Sequence, residues 1–531
     1  MKTNSDQSPS KESDMAAPSA EAFARLADLA VITDKAARET HPLYETFTGK
    51  ELATIPVATA EDAVAAVERA RVAQKEWAKV RVAERAKIFN KYHDLILDRR
   101  DWLLDLSQAE TGKARTSALE EVIDIAMTSR YYARTAAKTL EKKTVQGLFP
   151  VLTKTTVNYR PKGVVGVISP WNYPMTLAVS DAIPALLAGN AVVVKPDSQT
   201  PFCALAVAEI LYEAGLPKDL FAVVPGPGSV VGTALVENCD YIMFTGSTET
   251  GRTLAEQCGR RLIGFSAELG GKNPMIVAKG ADLNHVADAA VRACFSNSGQ
   301  LCISIERIYV EDDVAEEFTS LFSDKVRNMA LTAEYDLAGD MGSLISESHL
   351  ETVKRFVDDA VEKGATVLAG GKARPDLGPL FFEPTLLTDV TPEMMVYRTE
   401  TFGPVVSIYP FASIDEAIEQ ANDTEYGLNA SVWAANEADG EAIAERINSG
   451  TANVNEGYGP AWASYGAPMG GMGASGMGRR HGAEGLTKFT EVQTVATQRL
   501  LDLGGPSWLD QKYFSAALPW AVRAMKYLPG R

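Results

Sequence analysis

The stretches "GVVGVIS" (residues 163–169) and "NAVVVKP" (residues 190–196) decide the fold of this chain. Both are short runs of β-branched apolar residues bounded by glycine or proline, which is typical of buried strands. The Ala-rich segment between them, residues 175–187, is long enough for a helix. Strand, helix and strand at this spacing predict a parallel βαβ unit, and therefore an α/β fold.

The same alternation continues on both sides of this unit. A helix over residues 202–213 and the strand "LFAVVPG" follow it, and "TAEDAVAAVERARVAQKEWAKV" precedes it, with Thr59 and Asp62 in capping-box spacing. A second strand–helix series runs from about residue 273 past residue 408, which predicts a second α/β domain. Its segments are "PMIVA", a helix ending at Cys294, "IERIYV", "EEFTSLFSDKVRNMA", "ATVLAGG" and "PVVSIYP".

Length and composition limit the possible functions. A chain of 531 residues exceeds one hydrophobic core, and its 46% apolar and 23% charged residues are ordinary for a globular protein. A net charge of −17 disfavours nucleic-acid and anionic-membrane partners. We expect no membrane-spanning segment and no secretory signal. Five scattered cysteines favour a reducing compartment, so we expect a cytoplasmic protein.

Metal and serine-hydrolase chemistry find little support. The five histidines are far apart, and neither H-E-x-x-H nor C-x-x-C occurs, so we expect no metal site. No G-x-S-x-G elbow is present. We expect His481, after "GRR", to be a solvated loop residue. The cysteines other than Cys302 are expected to be small buried side chains. They are Cys203, Cys239, Cys258 and Cys294.

Four loops place unusual residues directly after predicted strands. They are "SPWNYP" (169–174), "KPDSQTP" (195–201), "FTGSTETG" (244–251) and "ELGGKNP" (268–274). Ligands of α/β proteins bind at the carboxyl ends of the strands, where these loops lie. A glycine- and serine-containing turn before a helix can also offer N–H groups to a phosphate. Each loop alone could equally be a turn that needs glycine and proline.

Taken together, these loops resemble the signatures of the aldehyde dehydrogenase superfamily. Four further motifs follow in the family's order: "GQLC" (299–302), "ETFGPV" (400–405), "YGLNASVW" (426–433) and "APMGGMGASGMGRRHG" (467–482). The resemblance covers about residues 44–495. The chain is most similar to the actinobacterial-type NADP-dependent succinate-semialdehyde dehydrogenase group, through "GFSAELGGKNPMIVA", "FSNSGQLCISIERIYVE" and the extended C-terminal tail.

The resemblance implies a catalytic set. Cys302 is the implied nucleophile, Glu268 the general base and Asn172 a donor to the oxyanion. A thiolate can add to an aldehyde carbon, and the resulting oxyanion needs preformed donors. A carboxylate in an apolar pocket can have a raised pKa and accept a proton from water.

The resemblance also implies the cofactor residues. Gly246 and Ser247 would bind the pyrophosphate, and Glu400 the nicotinamide ribose. The residues expected to border the cofactor are Trp171, Asn172, Leu269 and Phe402 around the nicotinamide, and Lys195, Asp197 and Ser198 near the adenine-side ribose. NAD-preferring relatives have a glutamate where this chain has Ser198. A carboxylate would repel a 2′-phosphate, so we predict NADP, with NAD also possible.

The implied architecture is a Rossmann-type cofactor domain, a second α/β catalytic domain and a β arm that joins subunits. We expect a disordered tail (1–21), a cofactor domain (22–142 and 161–270), a catalytic domain (271–483), an oligomerisation arm (143–160 and 484–499) and a C-terminal extension (500–531). A homodimer or homotetramer is expected, because the arm strands would extend a neighbour's sheet.

The sequence leaves more than one class of aldehyde substrate open. Two arginines are expected to hold the carboxylate of succinate semialdehyde, but the aligned residues here are Ser180 and Ser296. Arg292, Arg307 or the aromatic segment "GYGPAWASY" (457–465) would then define the pocket. Oxidation of succinate semialdehyde is the first prediction, and a broader or more apolar aldehyde is the alternative. A non-redox acyltransferase, a CoA-acylating relative and a silent structural relative are further alternatives.

Overall fold

The computed structural model describes residues 15–147, 153–499 and 504–527. Its strands, in chain order, are β1 (Thr40–Tyr44), β2 (Glu51–Pro56), β3 (Lys143–Gln146), β4 (Thr153–Pro161), β5 (Val164–Ile168), β6 (Ala191–Lys195), β7 (Phe221–Val223), β8 (Tyr241–Thr245), β9 (Gly264–Glu268), β10 (Asn273–Val277), β11 (Ile305–Glu311), β12 (Thr366–Ala369), β13 (Thr385–Thr388), β14 (Val405–Phe411), β15 (Asn429–Trp433), β16 (Thr451–Val454), β17 (Gly476–Met477) and β18 (Thr490–Gln498).

The α-helices surround these strands. In chain order they are α1 (Ala20–Ala27), α2 (Ala60–Trp77), α3 (Val82–Asp98), α4 (Arg100–Thr111), α5 (Arg115–Thr139), α6 (Pro174–Val179), α7 (Ala182–Leu187), α8 (Pro201–Glu213), α9 (Thr233–Asn238), α10 (Thr248–Arg261), α11 (Leu283–Phe295), α12 (Asp312–Arg327), α13 (Glu347–Glu362), α14 (Met395–Arg398), α15 (Ile414–Asn422), α16 (Glu437–Ala444), α17 (Gly459–Ala463), α18 (Glu484–Thr487) and α19 (Gln511–Met525).

The predicted βαβ unit lies at the centre of a six-stranded sheet with the order β17-β9-β8-β5-β6-β7. Strands β5 to β9 are parallel, and the short β17 adds to β9 antiparallel. The helix predicted over residues 175–187 is two helices, α6 and α7, with a break at Ser180 and Asp181. Pro184 explains the break, because it has no N–H to donate to the carbonyl four residues earlier.

The second series forms a seven-stranded sheet with the order β12-β13-β14-β11-β10-β15-β16. It is parallel except that β12, the strand within "ATVLAGG", runs antiparallel to β13. Two buried apolar clusters contain residues of this sheet and its helices, and a third, larger cluster contains those of the six-stranded sheet and its helices. The α/β fold with two sheets is therefore confirmed, while the predicted domain boundaries stay a prediction.

The arm segments pair within the chain. Strand β4 lies between β3 and β18 in a three-stranded antiparallel sheet. The first part of the second arm segment is not free, because Leu486 and Phe489 are buried in the core of the six-stranded sheet. Residues 148–152 of the predicted arm lie outside the described residues.

The two chain ends differ from their predictions in part. The predicted tail over residues 1–21 is too long, because α1 begins at Ala20 with Ser19 as its N-cap and Phe23 buried. Residues 1–14 lie outside the described residues. In the C-terminal extension, α19 buries none of its residues, and Trp508 and Trp520 are exposed. No helix of the described chain has the length and apolar character needed to span a bilayer.

Candidate active site

One cavity of about 260 Å³ brings together most of the predicted site residues. Its walls come from the loops after β5, β8 and β9, from the loop before β11 and from the loop before β14. The lining residues are Pro170, Trp171, Asn172, Thr245, Gly246, Ser247, Glu268, Leu269, Gly270, Cys302, Glu400 and Phe402. Three of the four predicted loops therefore meet at the carboxyl ends of β5, β8 and β9. The loops that carry Cys302 and Glu400 face them from the amino ends of β11 and β14.

Cys302 is fixed by an unusual turn. Three consecutive residues before it, Asn297, Ser298 and Gly299, have φ angles of 50°, 57° and 69°. A Cβ on Gly299 would lie 2.1 Å from the carbonyl oxygen of Gly403, so only glycine fits there. The side-chain amide of Asn273 donates to the Cys302 carbonyl at 2.8 Å. Burial, and then the nearby Glu268 carboxyl, raise the pKa of the Cys302 thiol to about 12.

Glu268 ends β9 and is 5% exposed. Burial raises the pKa of its carboxyl to about 7, and the nearby Arg480 opposes that rise. A carboxyl with this pKa can gain or lose a proton near neutral pH. Glu268 therefore has the environment that a general base beside Cys302 requires.

Hydrogen bonds hold both the main-chain carbonyl and the side-chain amide of Asn172. Its carbonyl accepts from the Lys113 ammonium at 2.6 Å and from the Asn297 amide at 2.9 Å. Its own side-chain amide donates to the Gln300 carbonyl at 3.0 Å. A side-chain amide has two N–H groups, so the second stays available for a ligand oxygen.

Lys113 itself is fully buried. It is paired with Glu121 at 2.8 Å and lies 4.1 Å from the centre of the Tyr173 ring. The other Glu121 oxygen accepts from the Met175 N–H at 2.8 Å, at the start of α6. This buried ion pair therefore fixes the loop that carries Asn172 and the helix that follows it.

Glu400 and Phe402 form another wall. The Glu400 carboxylate accepts from the Gly271 N–H at 2.7 Å, and burial, then Glu306, raises its pKa to about 8. Phe402, at φ 52°, packs edge-on against Trp171 with ring centres 5.5 Å apart. Glu306 holds this loop by accepting from the Phe402 N–H at 3.0 Å, and it is paired with the buried Lys272.

Gly246 and Ser247 lie at the start of a long helix. The Ser247 hydroxyl accepts from the Thr250 N–H at 3.3 Å and so caps α10. The N–H groups of a helix's first turn, with the helix dipole, favour an anion. Leu269 packs against this helix, because a Cβ on Gly251 would lie 2.6 Å from it.

The adenine-side residues lie apart from this cavity. Ser198 lines a separate cavity of about 180 Å³ with His41, Ile55, Pro56, Val57, Pro201, Pro225, Gly226 and Pro227. Lys195 ends β6, and burial lowers the pKa of its ammonium. The Asp197 carboxylate accepts from the Gln199 N–H at 2.9 Å and so stabilises its own turn. Of the three residues, Ser198 lines this cavity.

A second cavity, of about 70 Å³, also reaches Cys302. Ser180 lines it, together with Glu120, Asp124, Asn172, Tyr173, Thr176, Leu177, Leu301, Ile303, Tyr458, Trp462, Met469, Arg480 and His481. Ser296 does not line it, and its hydroxyl oxygen lies 2.9 Å from the Tyr458 hydroxyl. The pocket candidates Arg292 and Arg307 do not line it either. Arg292 pairs with Glu120 at 3.2 Å, and Arg307 donates to backbone carbonyls such as that of Lys272.

Comparisons with known proteins agree with this geometry. The model of the aldehyde dehydrogenase family matches residues 32–495. The chain belongs to the aldehyde dehydrogenase family. It is 66% identical, over 97% of its length and 100% of the relative's, to a Mycolicibacterium smegmatis protein provisionally named succinate-semialdehyde dehydrogenase [NADP(+)]. A Mycobacterium tuberculosis protein with the same provisional name, numbered 2, is 64% identical over the same shares.

Solved structures show the same fold. An NADP-dependent enzyme of E. coli superposes with a TM-score of 0.83 at 34% identity, covering 87% of this chain and 95% of that one. Betaine aldehyde dehydrogenase of Staphylococcus aureus, in complex with NAD+, gives a TM-score of 0.86 at 31% identity, covering 92% and 98%. The predicted aldehyde dehydrogenase fold is therefore confirmed.

In this aldehyde dehydrogenase, several environments differ from the sequence-based expectation or were missed. His481 is 6% exposed rather than solvated, because its ring packs against Tyr465, and burial with Arg480 lowers its pKa to about 4. The four other cysteines are buried, as predicted. Among the described residues, no cluster of three histidine, cysteine or acidic residues is arranged for a metal ion. Lys113 and Arg480 were not among the predicted site residues. Lys113 lies outside the quoted motifs, and Arg480 lies in the motif over residues 467–482 but was given no role.

Proposed function

We propose that this aldehyde dehydrogenase oxidises succinate semialdehyde to succinate with NADP, through a covalent intermediate on Cys302. The observation that carries the proposal is the shared cavity of Cys302, Glu268, Asn172 and Glu400. The substrate and the cofactor preference are supported by the provisional names of the relatives at 66% and 64% identity.

In the first step, the sulfur of Cys302 adds to the aldehyde carbon. Because the pKa of the resting thiol is about 12, addition requires a base that takes its proton. The Glu268 carboxylate, with a pKa of about 7, is the base on the same cavity wall. The oxyanion of the thiohemiacetal would accept from the second N–H of the Asn172 amide and from the Cys302 main-chain N–H.

The cofactor residues fit a dinucleotide phosphate. The N–H groups at the start of α10 suit its pyrophosphate, and the Glu400 carboxylate suits the hydroxyls of the nicotinamide ribose. Bound NADP would supply the acceptor for the hydride that leaves the thiohemiacetal carbon. At the adenine end, Ser198 is uncharged and so does not repel a 2′-phosphate as a carboxylate there would. The Lys195 ammonium would attract that phosphate.

Loss of the hydride leaves a thioester on Cys302. Glu268 first releases to solvent the proton that it took from Cys302. Water then attacks the acyl carbon, Glu268 takes the proton of that water, and the carbon–sulfur bond breaks to release the acid and the Cys302 thiolate. Glu268 therefore acts in both halves of the reaction. Its presence favours water over CoA as the acceptor, and the cofactor cavity has no use in a non-redox acyltransferase.

The small cavity beside Cys302 suits a short aldehyde. Its apolar wall of Tyr458, Trp462 and Leu177 is the observation that favours the alternative, a broader or more apolar aldehyde. The two substrates differ in charge and are distinguished by the same assay. We also propose a homo-oligomer joined through β4 and β18, and a cytoplasmic location, which the five free thiols support.

The experiment follows reduced nicotinamide by absorbance. Purified protein is given NADP or NAD with succinate semialdehyde, butanal, hexanal and benzaldehyde. The proposal expects the highest kcat/KM with succinate semialdehyde and NADP. Cys302→Ala abolishes turnover, whereas the matched variant Cys258→Ala retains it, because Cys258 is buried in α10. No signal with any aldehyde would contradict the proposal, and a preference for hexanal would favour the alternative substrate.

A further inference from the structure

The cavity beside Cys302 contains one guanidinium among the described residues that line it, that of Arg480. Both positions where arginines were expected hold serine, and Arg292 and Arg307 are engaged elsewhere. A carboxylate transferred from water into a cavity without a cation is costly. A substrate carboxylate in this cavity therefore needs a positively charged side chain that lines the cavity.

Arg480 is firmly positioned. Its main-chain N–H donates to the Met469 carbonyl at 2.6 Å, and the Met469 N–H donates back at 2.9 Å. Its side chain is 13% exposed, and its Nη2 lies 2.8 Å from Asp181 and 2.7 Å from the Thr245 hydroxyl. Among the described residues, its Nε has no acceptor, and its side chain contacts Thr245 and Asp181 through Nη2. The guanidinium therefore has N–H groups in reserve.

The charges around Arg480 do not cancel. Asp181 is shared between Arg480 at 2.8 Å and Lys488 at 2.7 Å, so two cations face one carboxylate. Burial raises the pKa of Asp181, but the two cations outweigh it and hold that pKa below its ordinary value. His481 is neutral at pH 7, because its pKa is about 4. Within the set of Arg480, Lys488 and Asp181, the cations exceed the carboxylate by one, and the Asp124 and Glu268 carboxyls also lie near Arg480.

Three acids also face this region, and two of them already accept hydrogen bonds from other side chains. Glu120 accepts from the hydroxyls of Tyr173 at 2.9 Å and Tyr458 at 2.7 Å, and it is paired with Arg292. Asp124 accepts from the Tyr465 hydroxyl at 2.9 Å, and burial raises its pKa.

The third acid is Glu268, which cycles between charged and neutral forms during the proposed reaction. A second anion in the cavity would therefore be stabilised chiefly by the cluster around Arg480.

We propose that Arg480 binds the distal carboxylate of the substrate and so selects a short aldehyde that carries a carboxylate. Ser180, the last residue before Asp181, lines the same cavity, and its small side chain leaves room for the carboxylate. Asp181 and Lys488 act as positioning residues for the guanidinium. This inference rests on the proposed function, since it explains how succinate semialdehyde is held without the two expected arginines.

The test compares succinate semialdehyde with butanal, its uncharged four-carbon counterpart, in wild type, Arg480→Gln and the control Arg446→Gln. Loss of a charge-assisted hydrogen bond predicts a fall in kcat/KM of about 10- to 100-fold for succinate semialdehyde, carried mainly by KM. The value for butanal should change by less than about threefold. Arg446→Gln should keep the wild-type preference, because Arg446 is half-exposed, is paired with Asp415 and does not line the cavity.

Equal losses for both aldehydes would overturn the inference, because Arg480 would then act through Cys302 and Glu268. Unchanged selectivity would overturn it as well. If wild type oxidises butanal but not succinate semialdehyde, the proposed function itself fails. Should Arg480→Gln not fold, Arg480→Lys is measured instead, since it keeps a cation beside Asp181. One ammonium cannot match the fork of a guanidinium, so selectivity should still fall by about fivefold or more.

Discussion

The Lys113 ammonium donates to the main-chain carbonyl of Asn172 at 2.6 Å while it is paired with Glu121 at 2.8 Å. None of the Lys113 side chain is exposed. A fully buried cation is stable only when it is paired and hydrogen-bonded. The pair therefore ties the position of the proposed oxyanion donor to the stability of the fold.

Lys113→Met is expected to affect both properties. Removal of one member of a buried pair costs about 3–5 kcal/mol, because Glu121 is left without its cation. Misplacement of the oxyanion donor should lower kcat by about 100-fold. Thermal unfolding and kcat measure the two effects, and the exposed Lys138→Met serves as the control. A variant with unchanged kcat would show that Asn172 does not depend on this pair.

The pH dependence of the reaction should follow Glu268. Its pKa is raised to about 7, so the carboxylate is charged, and able to take a proton, above that pH. The rate should therefore rise as the pH rises through about 7, and fall as the carboxyl becomes protonated below it. The log of kcat/KM from pH 5.5 to 9 gives this midpoint. Glu268→Gln should lose about 100-fold or more in rate together with this transition. A wild-type profile that is flat across this range would contradict the role.

The turn before Cys302 should tolerate no side chain at Gly299. Gly299→Ala places a Cβ at positive φ and 2.1 Å from a carbonyl oxygen. We expect a loss of about 3 kcal/mol or more in the free energy of unfolding, from strain and overlap together. Gly215→Ala is the matched control. Its φ is +111° with no atom within 4 Å of the added Cβ, so it reports strain alone. Equal losses in the two variants would show that the turn is not crowded.

Ser198→Glu should reverse the cofactor preference. A carboxylate there would repel a 2′-phosphate and accept from free ribose hydroxyls. We expect the ratio of kcat/KM for NADP to that for NAD to fall by about 10- to 100-fold. Ser198→Ala separates loss of the hydroxyl from gain of the charge. An unchanged ratio in Ser198→Glu would show that the cavity lined by Ser198 does not receive the 2′-position.

The sequence was sufficient for the parts of this molecule that follow from local pattern. Alternating apolar runs predicted the strands of both sheets. The resemblance to the aldehyde dehydrogenases, rather than the pattern, implied most of the residues that share the main cavity, and Ser198 lines a different one. The break between α6 and α7 and the antiparallel β12 were missed. The helix is broken because a proline lies inside the apolar run. The direction of β12 depends on long-range packing, which a local apolar pattern does not specify.

The supporting charges could not be read from the sequence. Lys113 lies 59 residues before Asn172, and Arg480 lies 299 residues after Asp181, so no local spacing relates them. His481 was predicted to be solvated because it follows two arginines in a glycine-rich stretch. It is buried because Tyr465 covers its ring. Pairing across the fold, rather than composition, decides which charges enter the site.

The central claim is that the aldehyde carbon becomes a thioester on Cys302. Wild-type protein is used and is quenched within the first turnover, because Glu268→Gln would lose the base of both steps. Protein mixed with NADP and succinate semialdehyde is quenched in acid, digested and analysed by mass spectrometry. We expect a succinyl group on the peptide that contains Cys302. An unmodified Cys302 during turnover, or a succinyl group on another residue, would contradict it.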